Sequence, residues 1–309
     1  MLSRTAESLF WMSRYLERAE STARLLTMGQ RMAVLPGSVY RDEWRSVLRV
    51  TGCENLISGK AAITEADIVR LLVLDPDNPS SIRSCIALAR QNAKSVRTAL
   101  TQEMWEAMNE GWRKLDSYDV SDARRELPAI IDWVKHRASV FRGAAETGLL
   151  RNAGHDFLRI GGALERALMT LRLLDVKYYV LLPETEVVGG GRDHYQWTSV
   201  LHALSGDRAY HHVYHGTYSP WQITDFLMVN SAFPRSVAFC VHQMRDHLDW
   251  LEKSHGLRTA AHDIVDELAD YLDKSAGGSI FKKGLHESVQ HSLTLINRLA
   301  REIAAAYHF

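Results

Sequence analysis

Cysteine is scarce in this chain: 309 residues hold only Cys53, Cys85 and Cys240, an odd number with no CxxC spacing. That fits buried thiols in a reducing compartment better than a disulfide frame, with the cytoplasm as the expected location. An excess of one charge is missing too. Lys plus Arg equals Asp plus Glu at 37 each, so no global field draws a polyanion, and nucleic acid is not expected as a partner. No apolar run approaches the ~20 residues needed to span a bilayer, and Arg4, Glu7 and Arg14 interrupt the N-terminal stretch where a signal-peptide core would lie. Neither a membrane span nor a leader is therefore expected. Strand signals are nearly absent, since Val187-Val188 is too short to count. A phosphate loop is incomplete: Gly189-Gly190-Gly191 with Arg192 and Asp193 lacks the GKS or GKT ending and a preceding strand, so it reads as a flexible connector. No cofactor is expected.

What is present is an echo. Leu16-Glu17-Arg18-Ala19 returns as Leu164-Glu165-Arg166-Ala167, a shift of 148 residues, and in the same phase Thr22, Arg24, Leu25 and Leu26 fall on Thr170, Arg172, Leu173 and Leu174. Trp44-Arg45-Ser46-Val47-Leu48 matches Trp197-Thr198-Ser199-Val200-Leu201 at a shift of 153, and Pro79, Ser81 and Cys85 fall on Pro234, Ser236 and Cys240 at 155. Three blocks in one order, with nothing recurring at 20 to 50 residues, imply one all-α domain over 1–309 built as two duplicated helical-bundle modules, 1–152 and 153–309.

Period and punctuation place the helices. Leu9, Met12, Leu16, Ala19, Ala23 and Leu26 step by three or four through a long first helix that Pro36-Gly37 stops. Shorter helices follow from about Asp42 to Gly52 and from Thr64 to Asp75. Long ones are expected over roughly 80–112 and 123–150, the latter with Pro128 in its first turns. The second module opens near Asp156 with a helix to Leu182, ended by Pro183. Ser219-Pro220-Trp221-Gln222 has the pattern of a capping box opening a helix to Asn230. Further helices run from Pro234 to Gly256, Thr259 to Ser275 and His286 to Tyr307, with Gly277-Gly278 before the last. Helices of 25 to 30 residues imply an elongated molecule with a broad face for a partner.

The string from Ala6 through Leu26, Ala-Glu-Ser-Leu-Phe-Trp-Met-Ser-Arg-Tyr-Leu-Glu-Arg-Ala-Glu followed by Thr22-Ala23-Arg24-Leu25-Leu26, resembles the opening signature of the bacterial alpha-E family. Asn78 through Ser84 and Phe233-Pro234-Arg235-Ser236 resemble that family's internal motifs, so the likeness covers essentially the whole chain. Ser13 stands where the family pattern has glycine. The resemblance implies a setting beside, or fused to, a circularly permuted ATP-grasp ligase and a transglutaminase-like cysteine peptidase, and hence a part in forming or modifying peptide or amide bonds. It supplies no catalytic residue.

The charged residues are weighed on their own chemistry. Glu17 and Arg24, like Glu165 and Arg172, lie seven apart on one helix face. Arg14, Glu17, Arg18, Glu20 and Arg24 flank the apolar stripe of the first helix, Glu165 and Arg166 that of its echo, and half-buried charges need partners. Arg83 and Arg235, near the starts of later helices, are the candidate partners for the glutamates. Such a set is either a structural lock or the wall of a polar cleft between the modules. His211 and His215 are weak metal candidates: they have one-turn spacing but no evident third ligand. Cys85 and Cys240 sit on apolar stripes, where thiols are inert. The resemblance, together with the lack of a complete catalytic constellation, implies an accessory protein that binds the ligase or its substrate, with an enzyme using a Glu/Arg cleft as the alternative.

Overall fold

The computed structural model describes residues 3–33, 40–57, 63–179, 191–216, 218–275, 280 and 284–309, and among these the chain is all α with no strand. The principal helices are α1 (Ser3–Ala33), α2 (Tyr40–Thr51), α3 (Glu65–Val69), α4 (Ile82–Ser95), α5 (Gln102–Asp116), α6 (Val120–Arg125), α7 (Leu127–Gly148), α8 (Ala153–Tyr179), α9 (Gly191–Ala203), α10 (Asp207–Tyr214), α11 (Pro220–Val229), α12 (Val237–His255), α13 (Ala260–Asp273) and α14 (Leu285–Tyr307). Among the described residues no helix is long and apolar enough to cross a membrane.

The stripe read from α1 is core: Leu9, Met12, Leu16, Ala19, Ala23 and Leu26 are all buried. The helix is covered on its other sides as well, by α8, α4, α7, α2 and α9. That is why Arg14, Glu17 and Glu20 are buried too. Helix α8 holds the matching position, packed on α1, α12, α14, α2 and α9. The two lie side by side in the same direction, Phe10 level with Gly161, Ser13 with Gly162, and Leu25 with Leu173. They approach closely because glycine leaves room. A Cβ on Gly161 would stand 2.3 Å from the Phe10 carbonyl oxygen, and one on Gly162 would stand 2.8 Å from Ser13 Oγ. Ser13 is thus small enough for the contact.

Corresponding helix starts are held by corresponding bonds. Ser81 caps α4 by accepting from Ser84 N at 3.0 Å, and Ser236 caps α12 by accepting from Phe239 N at 3.0 Å. Each loop before these caps is tied to a central helix: Thr22 Oγ1 donates to Ser80 O (3.3 Å), and Thr170 Oγ1 donates to Arg235 O (2.8 Å). The turns after α2 and α9 also agree, with positive φ at Gly52 (72°) and Ser205 (54°). Gly52 N bonds Arg49 O and Ser205 N bonds His202 O, both at 3.0 Å. Ser205 takes up a conformation that normally favours glycine, and its Oγ accepts from Arg24 at 2.6 Å.

Three sequence expectations are corrected. The helix expected over 80–112 is broken: α4 ends at Ser95, a short 3-10 turn follows, and Thr101 opens α5 by accepting from Met104 N. Threonine's competing side-chain bond wins over an apolar stripe that runs on in phase through Val96 and Leu100. The helix expected over 123–150 is two, α6 and α7, divided at Glu126, with Pro128 in the first turn of the second. At α11 the Ser219 hydroxyl makes no cap bond; Gln222 Oε1 instead accepts from the Tyr210 hydroxyl at 3.2 Å. By contrast Thr64 does form a capping box, with Asp67. Pro36-Gly37, Leu182-Pro183, Val187 to Gly190 and Gly277-Gly278 lie outside the described residues.

The close approach gives a test. Gly161→Ala is expected to destabilise the protein by about 1–3 kcal/mol in urea unfolding, because backbone rather than a movable side chain meets the new methyl. Gly143→Ala on α7, where nothing lies within 4 Å, should be neutral or stabilising by up to about 1 kcal/mol. Equal effects at the two sites would contradict the packing.

Candidate functional site

Neighbouring residues on a helix diverge by about 100°, so the glutamate and arginine of one Glu-Arg pair do not face each other. Two parallel helices remove the difficulty by exchanging partners. Arg166 on α8 donates to Glu17 on α1 through Nε (3.0 Å) and Nη2 (2.8 Å). Arg18 on α1 donates to Glu165 on α8 through Nε (2.6 Å) and Nη2 (3.0 Å). Both are two-pronged guanidinium–carboxylate pairs, the strongest geometry available to these groups.

Further arginines complete each end. Arg14 donates to Glu165 Oε2 at 2.9 Å, its guanidinium lying 4.5 Å from the Trp11 ring centroid. At the shift of 148, Arg14 falls on Gly162, so Glu17 has no such neighbour on α8. Its place is taken by Arg142 from α7, at 3.2 Å, and Arg235 from the turn before α12, at 3.1 Å. These two also bind Glu20, Arg235 at 2.8 Å and Arg142 more closely. Arg24 donates to Glu20 through Nε and Nη2 at 2.9 and 2.6 Å. The Arg24 partner is therefore Glu20, one turn away, and not Glu17.

The charges follow from this. Burial alone would push the Glu17 carboxyl up, but Arg166, Arg235 and Arg142 hold it well below the usual carboxylate range. Glu165 likewise is driven down by Arg18 and Arg14 against the effect of burial. Glu20 is raised by burial and by Glu17 but lowered further by Arg235, Arg142 and Arg24. All three carboxyls are thus held on the acidic side of their ordinary values, the opposite of what a carboxylate general base needs. The space beside Glu17, bounded by Arg142, Arg159, Arg166 and Gln243, is about 30 Å³, room for a water or two.

Of the residues singled out from sequence, Arg14, Glu17, Arg18, Glu20, Arg24, Glu165, Arg166 and Arg235 are brought together. Arg83 is not: it pairs with the exposed Asp116. The helical turn separating its position from that of Arg235 carries it away from the glutamates. Arg172, the echo of Arg24, makes no ion pair with a described residue, because Glu20 falls on Leu168 at the same shift; burial pushes its pKa down. His211 and His215 are also corrected. His215 ends α10 in a left-handed conformation (φ 51°), off the helix face, and His211 Nε2 pairs with the Tyr218 hydroxyl at 2.9 Å. Cys85 and Cys240 are fully buried, and burial pushes their thiols up to about 12 and about 11.

Two features escaped sequence reasoning. Arg142 stands 125 residues from Glu17 on an otherwise unremarked stretch of α7. Lys177, almost fully buried, donates to Asp193 (2.6 Å) and Gln196 (2.9 Å), tying α8 to α9 above the Trp197 ring. Asp193, considered for a phosphate loop, is thereby engaged; Gly189 and Gly190 lie outside the described residues.

The two Glu-Arg dipeptides at the centre of this lattice are the only ones in the chain. Residues 1–308 match the family model Alpha-E, described as a predicted alpha-helical domain with a conserved ER motif. The chain belongs to the Alpha-E family. Its curated relatives include uncharacterized proteins of Mycobacterium bovis and Mycobacterium tuberculosis, each 24% identical over 97% of this chain. The alignment takes up 36% of each relative, so the chain spans little more than a third of their length. No solved structure matches.

Removing one partner of this Alpha-E lattice strands buried charge. Glu165→Gln is expected to cost about 3–5 kcal/mol in urea unfolding at pH 7. The exposed control Asp116→Asn should cost about 1 kcal/mol or less. The three carboxyls titrate lower in the fold than in the unfolded chain, so their contribution is complete above about pH 4.5 and is lost as pH falls below it. The loss of stability between about pH 4.5 and 2.5 should be shallower in Glu165→Gln than in the natural protein. Parallel pH curves would contradict the assignment.

Proposed function

We propose that this Alpha-E chain is an accessory, protein-binding module of a cytoplasmic system that forms or modifies peptide or amide bonds, and that its partner is a circularly permuted ATP-grasp ligase encoded beside it. A transglutaminase-like peptidase of the same operon is a further candidate partner. The observation that carries the reading is the length relation: nearly all of this chain corresponds to 36% of longer relatives, as expected of a module that works attached to something else. The polar centre supports a binding rather than a chemical role, because its three glutamates are engaged by arginines and held in the charged, weakly basic state. Exposed anchors are available for docking, Trp250 at 58% and Leu257 at 53% exposure among them.

We also infer that the chain arose by duplication of one helical module, with 1–152 and 153–309 as the copies. The paired serine caps, the paired threonine ties and the matching turns after α2 and α9 support this. An enzyme using Glu17 or Glu165 as general base in a cleft between the modules is the alternative; the lowered carboxyl pKa values and the 30 Å³ space beside Glu17 speak against it.

Co-expression of the chain with the neighbouring ligase, followed by size-exclusion chromatography and an ATP-turnover assay, tests the reading. Co-elution with altered turnover is expected. Separate elution with unchanged turnover would overturn it.

A further inference from the structure

At the start of α8, three metal-ligating side chains converge outside the arginine lattice. Asn152 Oδ1 accepts from Gly154 N (2.9 Å) and His155 N (3.2 Å), fixing the first turn and with it His155 and Asp156. Helix α12 brings His247 across from them. His247 Nδ1 stands 2.8 Å from Asp156 Oδ1, and His155 Nδ1 stands 3.9 Å from the same oxygen. One ligand atom from each of the three residues lies within 4.8 Å of the others. His155 and Asp156 are buried, and His247 keeps only 15% of its side chain exposed. His155 also lines a cleft of about 350 Å³ shared with Thr5, Leu9, Thr101, Leu149 and Asn152.

We propose that His155, Asp156 and His247 form a binding site for one divalent transition-metal ion of the zinc class. Two imidazoles and a carboxylate suit borderline ions of this kind, and three protein ligands leave a fourth position for water or a ligand. Both histidine–aspartate separations are near those of a bound ion, and the two imidazole ligand atoms lie within 4.8 Å of each other. Ligand atoms about 2.0 Å from a tetrahedral ion lie about 3.3 Å apart. The His247–Asp156 separation must open by about half an ångström from 2.8 Å, and the His155–Asp156 separation must close by about the same from 3.9 Å. The other groups facing the site are Tyr307, whose hydroxyl is pushed up by burial and by Asp156, and Arg151, whose guanidinium donates to His155 Nε2. Arg151 opposes the ion. When Nδ1 of His155 binds metal, Nε2 carries the ring proton, and Arg151 must swing away. It has room to do so, being 52% exposed and also paired with the equally exposed Glu146.

The other histidine–carboxylate cluster, Asp249, Glu252 and His262, is less suited. His262 already engages Thr259 N through Nδ1 and Leu248 O through Nε2, both at 3.0 Å.

Isothermal titration of the metal-free full chain with zinc chloride tests the site, with the visible spectrum of the cobalt(II) form as a second readout. One zinc per chain is expected, with affinity lowered at least roughly tenfold in His155→Ala and His247→Ala and with four-coordinate cobalt bands lost in both. Arg151→Ala should bind zinc more tightly than the natural protein. Absence of zinc binding, or binding that both histidine variants retain in full, would overturn the proposal. Should the histidine variants fail to fold, an unchanged affinity in Arg151→Ala would overturn it as well.

Discussion

Burying three glutamates in the middle of a helical bundle constrains everything around them. A carboxylate removed from water must meet donors in good geometry, and the cost of leaving it unmet is several kcal/mol. In this fold the requirement is met by setting α1 and α8 in the same direction and in close register. Glu17 then faces Arg166, and Glu165 faces Arg18. The glycines at 161 and 162 allow the approach, and the lattice reads out whether the register is right. A slide of either helix by one turn, about 5.4 Å, would break the two-pronged pairs of Glu17 with Arg166 and of Glu165 with Arg18. The exchanged pairs thus favour this register of the two helices over its one-turn neighbours.

The two ends of the lattice are unlike. At Glu165 the guanidiniums come from α1 alone, whereas Glu17 and Glu20 draw theirs from α8, α7 and the turn before α12 as well as from Arg24. The second set links four segments of the chain at one point. Arg142, at 27% side-chain exposure, and Arg24, at 16%, form its wetter edge, and six arginines against three glutamates leave the seam positively charged. An acidic group on a partner would meet complementary charge at that edge.

Much of this was legible in the residues. The 3.6-residue stripe of α1 and the repeated Leu-Glu-Arg-Ala located both central helices, and the proline-serine pairs located the starts of α4 and α12. Arg235, read as a partner of the glutamates from its place near a helix start, meets Glu17 and Glu20, whereas Arg83, read in the same way, lies one helical turn off and pairs with Asp116. What could not be read was the exchange of partners, since spacing along one helix suggests partners on that helix. Glu17 and Arg24 share a face yet do not meet. Arg142 was invisible for a related reason: its neighbours Ala138, Phe141 and Ala145 form an ordinary core stripe, and nothing local marks it as reaching a carboxylate on α1. The break between α4 and α5 was masked by an apolar pattern that stays in phase across it, and only Thr101 betrays the new start.

The central claim is that the two Glu-Arg dipeptides stabilise the fold by pairing with each other and not within themselves. Double-mutant cycles in urea unfolding test it directly, with Glu17→Gln, Arg18→Met, Glu165→Gln and Arg166→Met combined in pairs. Coupling of about 2–3 kcal/mol is predicted for Glu17 with Arg166 and for Arg18 with Glu165, against less than about 0.5 kcal/mol for Glu17 with Arg18 and for Glu165 with Arg166. Coupling as strong within the dipeptides as between them would contradict the account.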